Sequence, residues 1–313
     1  MAYIITGSTG HIGNNLIREL VKLNKNVKIL TRRIDKSIEN YETNCILGDI
    51  FNREFLVANI HKGDIVIHLA GVIDIKNNKK EETLKINYEG TRTILDVSID
   101  KKVKQFIYFS TTDCIYKENE DIIKEPSIIY PEKFKDNYSY SKALATKYVM
   151  EQRTKHQDIK INILYPSAVI GVNDYKPSSI GKVVKDIIDC KMQFGIKGGY
   201  NFVDVDDVIK ATINLLEKEL NGDYLLTGHF VSIVQFYDVV NQVLRRKRRT
   251  IKIPTFIVYI FMPFIPYLSK FVIKTINEKC CFDNNKMQEK LGVQNTEFYE
   301  TINKTVMFFK NNH

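Results

Sequence analysis

The sequence predicts an α/β protein, a doubly wound parallel sheet carrying a smaller, mostly helical C-terminal lobe. Three observations carry this. Short apolar runs alternate with longer amphipathic stretches through the first half of the chain. A glycine-rich turn, Thr6-Gly7-Ser8-Thr9-Gly10-His11-Ile12-Gly13, separates the first run from the first helical pattern. Beyond about Pro166 the helical patterns take over. A chain of 313 residues exceeds the usual single compact core, so one large unit with an appended lobe is expected, divided at 1–165 and 166–313.

Taken in order, residues 2–5, 27–30, 45–47, 65–69, 106–109 and 161–164 read as buried strands, because each is a short, nearly continuous apolar run followed by an amphipathic stretch. Right-handed crossovers bring the carboxyl ends of such strands to one edge, where ligands of doubly wound sheets bind. The polar strand ends therefore share that edge: Thr6-Gly7, Thr31-Arg32-Arg33, Gly48-Asp49, Ala70-Gly71, Ser110-Thr111-Thr112 and Tyr165-Pro166-Ser167. Residues 179–190, 204–218 and 233–245 read as helices of the lobe. Short strands at 202–203 and 224–226 are expected to return to the main sheet, within 200–210 and 223–228.

A hydrophobic content of 44% fits a folded domain. The formal charge of +9 comes from lysines scattered along the chain, so no nucleic-acid partner is expected. The dense run Arg245-Arg246-Lys247-Arg248-Arg249 reads as a solvated helix end, with phosphate or membrane-surface binding as the lesser alternative. Five cysteines form no CxxC pair and no Cys/His ligand spacing, which excludes a disulfide framework and gives no metal site. Reduced cysteines and an N-terminus without a basic leader predict a cytoplasmic location. The apolar stretch 253–273 is broken by Pro254, Pro263 and Pro266 and contains Lys270, so a buried or substrate-covering helical pair is expected there, with interfacial membrane contact as the lesser alternative.

In the opening turn, Gly7 permits the bend out of the strand, Gly10 lets backbone approach a pyrophosphate, and Gly13 lets the following helix pack close to the sheet. Roughly 20 residues on, a carboxylate would grip the ribose 2′-hydroxyl of NAD. Here stand Arg32 and Arg33, which suit a 2′-phosphate and favour NADP(H), with NAD(H) as the alternative because Asp35 is close. Asp49 reads equally as an acceptor for the adenine amino group or as a helix cap, and His68 as a packed core histidine. The residues expected along the dinucleotide are Gly7, Thr9, Gly10, His11, Ile12, Gly13, Arg32, Arg33, Asp49, Ile50, Leu69, Ala70, Gly71, Tyr138, Lys142, Tyr165, Pro166 and Ser167.

Tyr138 and Lys142 lie one helical turn apart in Tyr138-Ser139-Tyr140-Ser141-Lys142, which puts a phenol and an ammonium on one helix face as an acid/base pair. The ordered set resembles the extended short-chain dehydrogenases/reductases of the NAD-dependent epimerase/dehydratase superfamily. It comprises the first-turn glycines, His68-Leu69-Ala70-Gly71, Asn87 with Gly90-Thr91, Phe109-Ser110-Thr111-Thr112 with Tyr116, Tyr138-xxx-Lys142, Tyr165-Pro166-Ser167, and Phe202-Val203-Asp204-Val205-Asp206-Asp207-Val208. The resemblance spans nearly the whole chain. It implies a Rossmann sheet and a homodimer, with Tyr138 as proton donor, Lys142 lowering its pKa, and a hydroxyl polarising the substrate oxygen, which counting back from Tyr116 assigns to Thr112, with the adjacent Thr111 and Ser110 as alternatives.

The 4,6-dehydratases of this family have Thr-Asp-Glu where this chain has Thr112-Asp113-Cys114, so the second acid of that chemistry is missing. Asp174-Tyr175-Lys176-Pro177-Ser178 and the aromatic, proline-broken stretch 254–271 resemble the dihydroflavonol-reductase and 3β-hydroxysteroid-dehydrogenase branch. The resemblance therefore implies an NADP(H)-dependent carbonyl reductase or alcohol dehydrogenase acting on a small hydrophobic or sterol-like substrate. The alternatives are an NAD-dependent nucleotide-sugar epimerase and a non-catalytic dinucleotide sensor.

Overall fold

The computed structural model describes residues 1–74, 76–117, 122–189, 194–248, 250–253, 269–278 and 281–312. Among them, the apolar runs of the first half form β1 (Tyr3–Thr6), β2 (Val27–Thr31), β3 (Cys45–Leu47), β4 (Ile65–His68), β5 (Gln105–Phe109) and β6 (Lys160–Pro166). These six strands and β10 (Asp223–Leu226) make a seven-stranded parallel sheet in the order β10-β6-β5-β4-β1-β2-β3. The order reverses at β1, whose neighbours are β2 on one side and β4 on the other. That reversal opens a crevice beyond the carboxyl ends of β1 and β4.

Both faces of the sheet are covered, which is why its strands read as continuous apolar runs. On one face Leu16, Ile17 and Leu20 of α1 (His11–Lys22) and Val208, Ala211 and Leu215 of α7 (Val205–Glu217) bury against Ile5, Ile29, Ile67 and Leu164. On the other, Ile94 and Leu95 of α4 (Gly90–Asp100) and Ala143 and Val149 of α5 (Asn137–Lys155) pack on Ile4, Val66, Phe106 and Ile163. Each fully buried Leu or Ile contributes roughly 1.5–3 kcal/mol. Further helices of the sheet region are α2 (Arg53–Asn59), α3 (Lys80–Leu84), which runs through a π-helical turn, Lys85–Glu89, into α4, and the helix Asn285–Leu291, which buries Met287 and Leu291.

The smaller half contains strands that the helical pattern did not foresee. β9 (Gly199–Asp204) does not return to the main sheet. It pairs with β7 (Ala168–Ile170) and β11 (His229–Ser232) in a separate three-stranded sheet, because the chain leaves β6 at Pro166 and β7 starts a new layer. The strand expected at 224–226 does return, as the edge strand β10 beside β6. β8 (Phe194–Gly195) and β12 (Ile251–Lys252) form a short parallel pair. The helices α6 (Ser179–Ile188) and α8 (Ile233–Val243) and the C-terminal helix Phe298–Asn311 pack around these strands through Val184, Ile187, Phe236, Val240, Ile302 and Val306.

Side chains start and stop these elements. Asp136 caps α5 by accepting from the Ser139 amide at 2.7 Å, and Ser232 with Gln235 forms a reciprocal capping box on α8. Arg246, from the basic run, donates to the carbonyls of Ile187 and Ile188 and so closes the end of α6. The stretch 254–268 lies outside the described residues. The helix Lys270–Asn277 that follows it buries Ile273 and Ile276. Among the described residues no helix is long and apolar enough to cross a membrane.

The acids of Phe202-Val203-Asp204-Val205-Asp206-Asp207-Val208 anchor the C-terminal segment. Asp204 caps α7, accepts from the Thr301 hydroxyl at 2.6 Å and pairs with Lys304 at 3.0 Å, while Asp207 takes the Thr296 amide and hydroxyl at 2.8 Å each. Asp204→Ala removes a cap and two charge-assisted contacts from a buried position, so urea unfolding is expected to show a loss on the order of 3 kcal/mol. A loss below about 0.5 kcal/mol would show that the anchor is dispensable.

Candidate active site

The first turn is shaped by a lack of space. Gly7 has φ +73, and a Cβ there would lie 2.5 Å from the Leu69 carbonyl carbon and the Ala70 nitrogen. At Gly13 a Cβ would fall 2.3 Å from the Gly7 carbonyl oxygen. The turn thus lies against the end of β4 and delivers α1 with Gly10 as an N-cap that has no side chain, and with no acid in the first turn. Ser8 Oγ is buried with no hydrogen-bond partner. An uncapped helix start beside an orphaned hydroxyl fits a diphosphate.

Two cavities meet at this turn. One, of about 420 Å³, is lined by Thr9, Arg32, Arg33, Asp49, Ile50, Ala70 and Ser8. The other, of about 830 Å³, is lined by His11, Ile12, Gly13, Tyr138, Lys142, Pro166 and Ser167. Gly7, Gly10, Leu69, Gly71, Val72 and Lys176 belong to both walls, so the two form one crevice across the sheet's carboxyl edge. Its length and lining fit an extended dinucleotide. Asp49 is not a helix cap, since Asn52 caps α2; its carboxylate accepts from the Phe51 amide at 3.1 Å and faces the smaller cavity. Asp35, which left NAD(H) open, is turned to Lys176 and Ser37.

Two expected residues are placed elsewhere. Tyr165 is fully buried in the core under α5 and lines neither cavity; its side chain points to the opposite face from that of Pro166, and Ser167 follows beyond the strand end. Thr112 is buried and also lines neither cavity. Thr111 does, and its hydroxyl acts on the Tyr138 phenol in the direction of a lower pKa, against the larger effect of burial. Ser110 is turned to Thr146 of α5, at 2.6 Å. His68 is a core residue, held between the hydroxyls of Thr6 (2.7 Å) and Thr91 (3.0 Å), with burial driving its pKa down to about 3.

Tyr138 and Lys142 stand together at the mouth of the larger cavity, both more than nine-tenths buried. The Lys142 ammonium donates to the Phe109 carbonyl at 2.8 Å and lies 4.9 Å from the centre of the Tyr108 ring. Burial lowers its pKa from the ordinary lysine value to about 8. The Tyr138 phenol is not acidified as the resemblance implied. Burial, and then the charge of Asp113, push its pKa well above the ordinary tyrosine value, and Lys142 is not among its leading influences because the ammonium is directed at Phe109. Ser141 donates to the Tyr138 carbonyl at 2.9 Å and accepts from Asn87, which also exchanges two hydrogen bonds with the Val72 backbone.

Other cavity residues were not singled out from the sequence. Tyr200 donates to Asp113 at 2.5 Å, and burial raises the Asp113 pKa. Asp113 carried a signal, as the first acid of the incomplete dehydratase triplet; Tyr200 carried none. The far wall is apolar, with Ile180, Val183, Ile196, Phe202, Phe236 and Ile276. Among the described residues no group of three or more His, Cys, Asp or Glu could hold a metal.

A reversed strand order, a side-chain-free helix start and a buried tyrosine and lysine beyond it define an enzyme that uses a nicotinamide dinucleotide. A sequence model of the NAD dependent epimerase/dehydratase family matches residues 3–226. The chain belongs to that family, as an extended short-chain dehydrogenase/reductase. It is 23% identical over 257 residues to sterol demethylase protein B of Methylococcus capsulatus, covering 81% of this chain and 78% of that one. It is 24% identical over 227 residues to the human sterol-4-alpha-carboxylate 3-dehydrogenase, decarboxylating, covering 72% of this chain and 59% of the relative. Its fold matches the UDP-glucuronic acid 4-epimerase of Bacillus cereus, solved with UDP-glucuronic acid and NAD, at a TM-score of 0.81 and 19% identity over 100% of both chains.

The buried ammonium sets a pH dependence. Since the folded state holds the Lys142 pKa at about 8, the unfolded chain binds more protons above that value, and stability from this residue rises as pH climbs from about 8 toward the ordinary lysine value. With no dinucleotide added, wild type should therefore gain stability relative to Lys142→Met between pH 7.5 and 9.5 in urea titrations. Parallel pH curves for the two proteins would contradict a buried, proton-shedding lysine.

Proposed function

We propose that the protein is an NADP(H)-dependent oxidoreductase that interconverts a ketone or aldehyde and an alcohol on a small hydrophobic or sterol-like substrate. The observation that carries this is the larger cavity: one polar end formed by Tyr138, Thr111 and Lys142, facing an apolar wall. Its volume of about 830 Å³ is in the range of small-molecule sites. A sugar nucleotide would set hydroxyls against that wall without partners, which is costly, whereas a hydrophobic ketone buries its skeleton there and leaves one oxygen at the polar end. The sterol-handling names of two relatives support the same class.

A bound nicotinamide supplies or accepts hydride at the reacting carbon. The chain's own residues manage the oxygen. Tyr138, whose raised pKa keeps its proton at neutral pH, is the donor to the developing alkoxide. Thr111, which lines the same cavity end as Tyr138, orients the substrate oxygen beside the phenol. Lys142 holds positive charge one helical turn away, fixed by the Phe109 carbonyl on the wall of the same cavity. The apolar wall excludes water and strengthens these interactions.

The cofactor preference is inferred from Arg32 and Arg33, exposed on the wall of the smaller cavity, and from the engagement of Asp35 by Lys176. The direct experiment is NADPH oxidation across a panel of hydrophobic ketones, 3-ketosteroids included. Turnover with these and not with UDP-sugars is expected; NAD retained through purification together with UDP-sugar interconversion would replace this reading by the epimerase. Tyr138→Phe should lower kcat by about 10²–10⁴-fold with NADPH affinity held within about twofold. Thr111→Val should cost about 10–100-fold in kcat and Thr112→Val less than about threefold. The opposite ranking would return the catalytic hydroxyl to Thr112.

A further inference from the structure

The loop after β7 crosses the crevice to the side of α1. The carbonyls of Val172 and Asn173 accept from the side chains of His11 (2.9 Å), Asn14 (3.1 Å) and Asn15 (3.1 Å), and Tyr175 accepts from Arg18 at 3.2 Å. These contacts hold Lys176 where it lines both cavities. Its ammonium is paired with Asp35 Oδ2, while Asp35 Oδ1 accepts from the Ser37 amide at 3.0 Å. Lys176 keeps about half of its side chain exposed, so it also has room to face a ligand.

A carboxylate just past the end of the second strand grips the 2′-hydroxyl of NAD and repels a 2′-phosphate. Here that carboxylate is countered by a lysine, and three cations, Arg32, Arg33 and Lys176, share the cavity into which a 2′-phosphate would project. A phosphate monoester carries close to two negative charges at neutral pH. We infer that Lys176, reaching over from the loop after β7, is a 2′-phosphate ligand and a cofactor-selectivity residue that also cancels the discriminating charge of Asp35. The inference rests on the NADP(H) reading above and adds to it a determinant 141 positions from Asp35 in the chain.

Dissociation constants for NADPH and NADH, from nicotinamide fluorescence on the full-length protein, test it. Lys176→Ala should weaken NADPH roughly tenfold and leave NADH unchanged or tighter, collapsing the preference. Lys176→Arg should retain the preference, and adding Asp35→Asn to Lys176→Ala should restore part of it by removing the uncompensated carboxylate. A wild-type preference for NADPH that Lys176→Ala leaves within twofold would overturn the assignment while the NADP(H) reading stands. Equal losses for both nucleotides would also overturn it, marking Lys176 as a latch for the loop. Tighter wild-type binding of NADH than of NADPH would overturn both.

Discussion

The ammonium of Lys142 ties the two halves of the site together. Buried, with no carboxylate among the charges that act on it, it is held by the Phe109 carbonyl and the face of Tyr108, both at the end of the same strand. That contact fixes α5 against the carboxyl edge of the sheet. Tyr138 lies one turn earlier on the helix and is carried to the same edge. A second tie runs from Ser141 through Asn87 to the Val72 backbone, joining α5 to the segment after β4. The phenol is thus positioned from two strands at once, and a shift of either would move it relative to the dinucleotide turn.

Much of this architecture was legible in the chain because the physical signals are local. The six strands of the first half announced themselves as apolar runs, since a sheet covered on both faces needs apolar side chains on both. The first turn was legible for a steric reason: Gly7 and Gly13 stand where any side chain would meet backbone. The small sheet was not legible. Ala168–Ile170 and His229–Ser232 are too short to show a period, and the partners of β9 are decided by where β6 ends. Thr111 could not be told from Thr112 by counting, because the chain turns between them: Thr111 is the extended cap and Thr112 the first residue of a short 3-10 turn. Tyr165 also failed, one residue short of the edge. Tyr200 gave no local signal, and the stretch 174–178 pointed to a branch of the family but not to the contact of Lys176 with Asp35, since both residues reach the crevice through contacts made possible only by the folded topology.

The cofactor half depends on a different set of contacts. His11, Asn14 and Asn15 leave α1 sideways to hold the loop 171–178, so the helix start that suits a diphosphate and the loop that borders both cavities move as one piece. The acids of the Asp204–Asp207 region, which the family resemblance drew attention to, are engaged elsewhere, in docking the C-terminal segment to α7.

Burial governs the chemistry as much as placement does. It raises the Tyr138 pKa and lowers that of Lys142, and both shifts favour the uncharged forms. A phenol that keeps its proton and an ammonium brought to the border of neutrality present little net charge to the larger cavity, so its polar end and its apolar wall share one space without strong ions. Placement and protonation state thus have one cause, the burial of the first turns of α5 against the sheet.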